Sequence, residues 1–407
     1  MENSIRGRDI IVIGQQPWDT EIGSNCKNIA LEFSKHNRVL YINSPLDRIT
    51  LLRNINDPKT RKRMDIIKGK AESLYPIQDN LWNFYPDCMV ESYNWINSTR
   101  IFSFFNKFNN KKLARSIQKA ITRLEFKDFI LFNDNEIFKG FYLNSLLKPA
   151  LSVYYSRDYM VAVDYWKKHG EKLEPKLIAN NSLCVANSTF LAEYCKQFNP
   201  HSYYVGQGCD LDLFVEKITP NLNHDTALNE VKKPVIGYVG ALQSIRLDKA
   251  ILSYIALKRP DWSIVLVGPE DVMFQTSDLH MIDNVTFTGI KPIDELPLFI
   301  NSFDVCINPQ LVNEVTIGNY PRKIDEYLAI GKPVVATATK AMEAFKDYVY
   351  LADTKEDYVR LIDKALAENS ESLKQERKKF ALDHTWGNSV AEIYKAIILT
   401  QKDQVAP

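Results

Sequence analysis

The chain has 407 residues, 45% of them hydrophobic and 25% charged, the balance of a globular protein long enough for two domains. Lys and Arg number 51 against 50 Asp and Glu, a formal net charge of +1, so no overall charge points to nucleic acid. The six cysteines (26, 88, 184, 195, 209 and 306) stand singly with no CxxC pair, as reduced thiols of a cytosolic protein do.

In chain order, the N-terminal "MENSIRGRDIIVIG" offers no apolar stretch long enough for a signal peptide, and no later run approaches a membrane span. A cytoplasmic protein is expected. Short β-branched and aromatic runs then alternate with helical patterns. Strands are expected at 9–14, 38–42, 128–132, 151–155 and 182–186, and again at 234–240, 262–268, 284–289, 303–309 and 333–338. Their nearly continuous apolar character is that of parallel strands covered on both faces. Ten such strands exceed one compact sheet of this kind, and the polar, Asn-rich stretch 217–234 separates two groups of five. The expected architecture is α/β, with two doubly wound Rossmann-like domains facing a central cleft. Residues 1–216 form the first domain, 217–384 the second, and 385–407 a helix that can pack back on the first. Ligands of such sheets bind outside the carboxyl ends of the strands.

Between the first strand and its helix, "IVIGQQPWDTEIGSN" lacks GxGxxG, which disfavours a dinucleotide site, although Gly23 and Ser24 can lend N–H groups to a ligand. Residues 53–70 hold seven Lys/Arg against two Asp, and 102–126 is basic with Phe clusters. Such faces either sit solvated or rest on an anionic membrane surface. After the strand at 151–155, Asp158 stands where a catalytic base would face a cleft; it can equally cap the next segment or pair with Arg157. The six histidines are scattered, with no Ser or Cys company suggesting a triad.

The densest signal is "NYPRKIDEYLAIGKPVVAT", 319–337. Pro321 suits a first helical position, Gly331 and Pro333 end the helix, and Ile324, Tyr327 and Leu328 give its apolar stripe. Yet its first turn, already the positive end of the helix dipole, carries Arg322 and Lys323. An anion would relieve that repulsion, and Glu326, three residues after Lys323, can point into the same opening and accept from sugar hydroxyls. The alternative is that both cations pair with Asp325 and Glu326 on a solvated face.

The pattern Pro321, Lys323, Glu326, Tyr327, Leu328, Ala329, Gly331, Lys332, Pro333 is similar to the donor-binding signature of group-1 glycosyltransferases, which have the GT-B fold. "VIGYVGALQSIRLD", "RPDWSIVLVGP", "NVTFTGIKPIDELPLFINSFDVCINP" and the final "HTW" match in order, with weaker matches in "ALEFSKHNRVLYIN" and "GQGCDLDLF". The closest resemblance is to teichuronic-acid-type glycosyltransferases. It implies that Lys323 meets the donor diphosphate, Glu326 the nucleotide ribose, and that Gly240 stands against phosphate with Arg246 nearby. The class often has a second acidic residue eight positions before the helix glutamate. Gly318 stands there instead, Glu314 is at the wrong spacing, and backbone N–H groups around Gly318, Asn319 and Tyr320 can serve the donor. Asp210 and Phe214 match a segment common in the class, which makes Asp212 incidental and not half of an Asp-x-Asp metal site. The resemblance implies a metal-independent glycosyltransferase without a cofactor, taking a nucleotide-sugar donor and a glycan or lipid-linked acceptor in cell-surface polysaccharide synthesis, with no nucleic-acid partner. The competing readings are a nucleotide-sugar epimerase of the same fold and a non-catalytic two-domain binding protein.

Overall fold

The computed structural model describes residues 4–20, 24–216 and 231–405. The chain divides into two units, Met1–Gly206 with Trp386–Pro407, and Gln207–Thr385. The expected linker at 217–234 lies outside the described residues up to 230. The unit boundaries fall at 206/207 and 385/386, against the expected 216/217 and 384/385.

Strands of the first unit are β1 (Asp9–Ile13), β2 (Arg38–Ile42), β3 (Leu46–Asp47), β4 (Leu74–Gln78), β5 (Leu81–Phe84), β6 (Met89–Val90), β7 (Ile130–Asp134), β8 (Leu151–Ser156), β9 (Leu183–Ala186) and β10 (Ser202–Tyr204). Eight of them form a sheet in the order β10-β9-β8-β7-β1-β2-β5-β4, and β3 pairs with β6 apart from it. All its pairings are parallel except β4 with β5. β1 is buried along its whole length, as a central strand covered on both faces must be. The β4–β5 hairpin keeps that character only in β5. Its first strand alternates in burial and holds Pro76, which an edge strand tolerates, and Asn80 turns the chain at φ 62°.

The second unit holds β11 (Val235–Val239), β12 (Ser263–Val267), β13 (Val285–Gly289), β14 (Val305–Asn308), β15 (Val334–Thr337) and β16 (Tyr350–Ala352), all parallel, in the order β13-β12-β11-β14-β15-β16. This is the doubly wound order, with its direction reversing between β11 and β14. In the first unit the reversal lies between β1 and β7.

The Trp386–Val405 helix belongs to the first unit. Val390, Ile393, Tyr394 and Ile397 join the core built on Ile10, Val12 and Phe33. Tyr394 stacks on Phe33 with centroids 5.6 Å apart and its hydroxyl accepts from Asn37 Nδ2 at 2.9 Å.

One buried acid in the first unit links stability to pH. Glu174, on the Asp164–Ala179 helix, is 1% exposed and accepts from the hydroxyls of Tyr154 (2.6 Å) and Tyr194 (3.1 Å). Burial pushes its pKa up to about 7, and the two tyrosine bonds only partly oppose that rise. Between an ordinary Glu value near 4.5 and 7 the folded chain therefore holds a proton that the unfolded chain has lost, so stability falls as pH rises through that window. The fall should reach about 3 kcal/mol at most. Glu174→Gln should remove it, and urea midpoints at pH values either side of the window check this: parent and variant sloping alike would contradict it.

Candidate active site

Parallel strands deliver the residues that follow them to one edge, and the crevice at the β11/β14 reversal is where loops can separate to admit a ligand. Three segments of the second unit meet there. The loop after β11 is bound to the loop after β14: Asp248 N–H donates to Pro309 O (2.9 Å), Leu311 N–H to Arg246 O (2.8 Å) and Asn313 Nδ2 to Ile245 O (2.8 Å). The latter loop then leads into the Lys323–Ile330 helix. Tyr327 ties that helix to the strand end, because its buried hydroxyl accepts from Val239 N–H at 2.8 Å and reaches Val239 O at 3.3 Å.

The helix begins two residues later than the sequence suggests. Arg322 is its N-cap, without a side-chain capping bond, and Ile324 N–H closes a tight turn onto Pro321 O at 2.9 Å. Neither Arg322 nor Lys323 makes an ion pair among the described residues, so the expected alternative of pairing with Asp325 and Glu326 is not seen. Arg322 is exposed. Lys323 is half-buried; its Nζ donates to the Tyr238 hydroxyl and lies 4.0 Å from that ring's centroid. Residues 238 and 240 point to the same side of an extended strand, so the alternation of "GYVG" already held the signal for Tyr238, which sequence reading missed.

Gly240 does not act through its N–H, which donates to Val267 O at 2.9 Å. It has φ +142°, and a Cβ there would stand 2.8 Å from Lys323 Nζ and 3.0 Å from the Tyr238 hydroxyl. What this glycine supplies is room beside the cation. Gly268, also at φ +142°, permits the next strand end to approach, since a Cβ would fall 2.1 Å from Gly240 O.

Glu326 is partly buried, and desolvation raises its pKa while Arg322 and Lys323 pull it down. Arg246 is exposed on the loop after β11. Asn319 N–H is occupied by Thr316 O at 3.0 Å, so it is not an open donor as the sequence reading allowed. Gly318 is buried. The Tyr320 ring is turned to Phe345, with centroids 5.2 Å apart, and its hydroxyl lies 3.2 Å from His384 Nδ1.

Behind the cations lies a network that no local pattern disclosed. Asp325, fully buried, receives His384 Nδ1 at 2.6 Å and Cys209 Sγ at 3.2 Å. Cys209 N–H in turn donates to His384 O at 2.9 Å. Burial, reinforced by Asp325, holds the Cys209 thiol well above its ordinary pKa. Asp325 is thus not a partner for Arg322. It anchors the first helical turn to the segments by which the chain enters and leaves the unit, and its negative charge suits that end of the dipole. Phe214 is buried in the same core, whereas Asp210 and Asp212 are exposed.

In the first unit, Asp158 is 39% exposed and bound to Arg157, whose Nη1 lies 2.6 Å from its Oδ2, so the pairing weighed from sequence is present. Arg157 also donates Nε to Asp134 at 2.8 Å. Asp134 closes β7 at the β1/β7 reversal, is fully buried, and its Oδ2 has no hydrogen-bond partner among the described residues. Burial raises the Asp134 pKa against the pull of Arg157. An acid ending "ILFND" was visible in the sequence, but its pairing was not. Asn135 Oδ1 accepts the N–H groups of both Arg157 (2.8 Å) and Asp158 (3.0 Å), which fixes the turn carrying them. Gly23 lies outside the described residues. Among the described residues no three His, Cys, Asp or Glu side chains gather as metal ligands.

The family model described as "Glycosyl transferases group 1" matches residues 221–381. A protein assigned to teichuronic acid biosynthesis as a glycosyltransferase, TuaH of Bacillus subtilis (strain 168), is 33% identical over 172 residues, 40% of this chain and 42% of its own length. The chain thus matches less than half the length of that relative. Among solved structures, sucrose-phosphate synthase from Thermosynechococcus elongatus aligns over 98% of this chain and 100% of its own, with TM-score 0.63 and 14% identity. The α,α-trehalose 6-phosphate synthase of Burkholderia multivorans aligns over 99% of both chains (TM-score 0.65, 10% identity), and Anabaena HepE in complex with UDP and glucose over 98% of both (TM-score 0.54, 15% identity). At these identities the likeness is one of fold. Residues 221–381 are thus similar to the glycosyl transferases group 1, within a chain of the GT-B fold.

Proposed function

We propose that the chain is a glycosyltransferase that moves a sugar from a nucleotide-diphosphate sugar to a hydroxyl of a glycan or lipid-linked acceptor, in the synthesis of a cell-surface polysaccharide. The observation that carries this reading is Lys323. It is a half-buried cation with no carboxylate partner among the described residues, at the positive end of a helix, beside a glycine whose missing side chain gives its Nζ room. Phosphate fits that combination of dipole, cation and space. As the bond from sugar to diphosphate breaks, negative charge grows on the departing oxygens, and Lys323 and Arg246 stabilise it. Glu326 takes the ribose hydroxyls. Asp158, held through Arg157 by Asp134, serves the acceptor side. TuaH supports the polysaccharide context, and HepE, crystallised with UDP and glucose, supports a nucleotide-sugar donor. A lipid-linked acceptor also suits a peripheral membrane contact through 53–70 and 102–126.

Incubating the full chain with nucleotide sugars, with and without glycan or lipid-linked acceptors, tests the reading. Transfer to an acceptor supports it. An epimerised donor in the absence of acceptor, or a donor that binds and stays unchanged in both arms, overturns it. Glu326→Ala should weaken nucleotide binding by roughly 1.5–3 kcal/mol, the scale of hydrogen bonds to a charged group. Unchanged affinity by calorimetry would remove Glu326 from the ribose.

A further inference from the structure

The Thr99–Leu124 helix of the first unit carries Arg100, Lys107, Lys111, Lys112, Arg115, Lys119 and Arg123 and no acidic residue. Its inner face is fixed by side-chain bonds to the backbone. Asn106 and Asn110 donate to Phe138 O at 2.7 and 3.0 Å, and Asn109 exchanges two bonds with the Glu91 backbone. The helix therefore cannot roll, and its outward stripe is set. That stripe begins with Ile101 (52% exposed), Phe104 (60%), Phe105 (36%) and Phe108 (48%), spaced as neighbours on one helix face, and continues as Lys111, Lys112 and Arg115.

The rings are gathered and not scattered. Phe104 packs edge-on against Phe105 (5.4 Å) and Phe108 (5.1 Å), and Lys111 Nζ lies 5.9 Å from the Phe108 centroid. Trp95, just ahead of the helix, is 73% exposed. Of the seven cations only Lys119 and Arg123, at the far end, meet carboxylates (Asp87 and Glu72, each at 2.6 Å). The five nearer the aromatics have no ion pair among the described residues. On the Arg48–Arg53 helix, Leu52 is 72% exposed.

We infer that this face docks the chain on an anionic lipid surface. The partner must offer apolar depth for the Phe cluster and negative charge for the unpaired cations beside it, and an anionic bilayer offers both within one interface. A second copy of the chain meets the face poorly, because a two-fold contact would set these cations against themselves. No helix among the described residues is long and apolar enough to cross a membrane, so the contact lies in the interfacial plane. The inference rests on this surface alone and stands or falls independently of sugar transfer.

Sedimentation of the full chain with vesicles tests it, using phosphatidylcholine alone and phosphatidylcholine mixed with phosphatidylglycerol. Binding to the mixed vesicles only, falling as salt is raised, is expected. Phe104→Ser with Phe108→Ser should lower the partition coefficient about tenfold or more, as should Lys107→Gln with Lys111→Gln and Arg115→Gln. These positions are on the surface, so unchanged thermal unfolding shows that the variants are folded. Parent and variants binding alike, or no binding to mixed vesicles, overturns the inference. So does a dimer in light scattering that the Phe variant abolishes, which would assign the face to a second copy.

Discussion

With its true donor and acceptor, Lys323→Ala should turn over about thirty- to a thousandfold more slowly than the parent, a loss of roughly 2–4 kcal/mol of transition-state stabilisation. The size follows from where the charge appears. A diphosphate bound in the ground state already carries charge, but its bridging oxygen gains more as the glycosidic bond breaks, so a fixed cation there contributes more to the transition state than to binding. The fold should survive, because Lys323 is half-buried and its side chain bonds only to the Tyr238 hydroxyl, while the Tyr238 ring keeps its place in the core. Lys323→Arg should rescue only partly, since a forked guanidinium does not fit the point-charge space between Gly240 and Tyr238. Steady-state kinetics decide the matter: parent-like turnover of Lys323→Ala would remove the diphosphate from this helix.

Much of the second unit could be read in advance because its signals are local. Five apolar runs, a proline before the helix, a glycine after it and two misplaced cations are each properties of a few adjacent residues. The centres of all ten expected strands coincide with strands of the structure. What could not be read depends on contacts between distant segments. Asp325 looked like a partner for Arg322 because they are close in sequence, yet its carboxylate is taken by residues 209 and 384. Gly240 was expected to stand against phosphate, and its N–H is already bonded to Val267 O at the end of β12. The edge strands β10 and β16, three residues each, were too short to show a pattern, and β4 was hidden by its central proline and alternating burial. In the first unit, the chain Asp134–Arg157–Asp158 depends on two neighbouring strand ends that lie far apart in sequence.

Asp325→Ala should destabilise the second unit by about 3–4 kcal/mol. Removing the carboxylate orphans the buried Cys209 thiol and leaves His384 Nδ1 only the Tyr320 hydroxyl at 3.2 Å, at roughly 1–3 kcal/mol per donor, discounted because His384 is 22% exposed. A favourable charge at the helix N-terminus is lost with it. Asp325→Asn keeps one acceptor oxygen and should lose distinctly less. Urea unfolding followed by tryptophan fluorescence measures both, and equal, small losses would mean that packing of Phe345 and Phe380 around His384 holds this corner without the carboxylate.

The claim on which the account depends is that the first turn of the Lys323–Ile330 helix holds a diphosphate, and diffraction from crystals of the full chain grown with uridine, guanosine or adenosine diphosphate tests it most directly. The phosphates should lie against that turn in the space left by Gly240, with Lys323 Nζ swung from Tyr238 to a phosphate oxygen. Phosphates bound elsewhere, with Lys323 still resting on Tyr238, would contradict it.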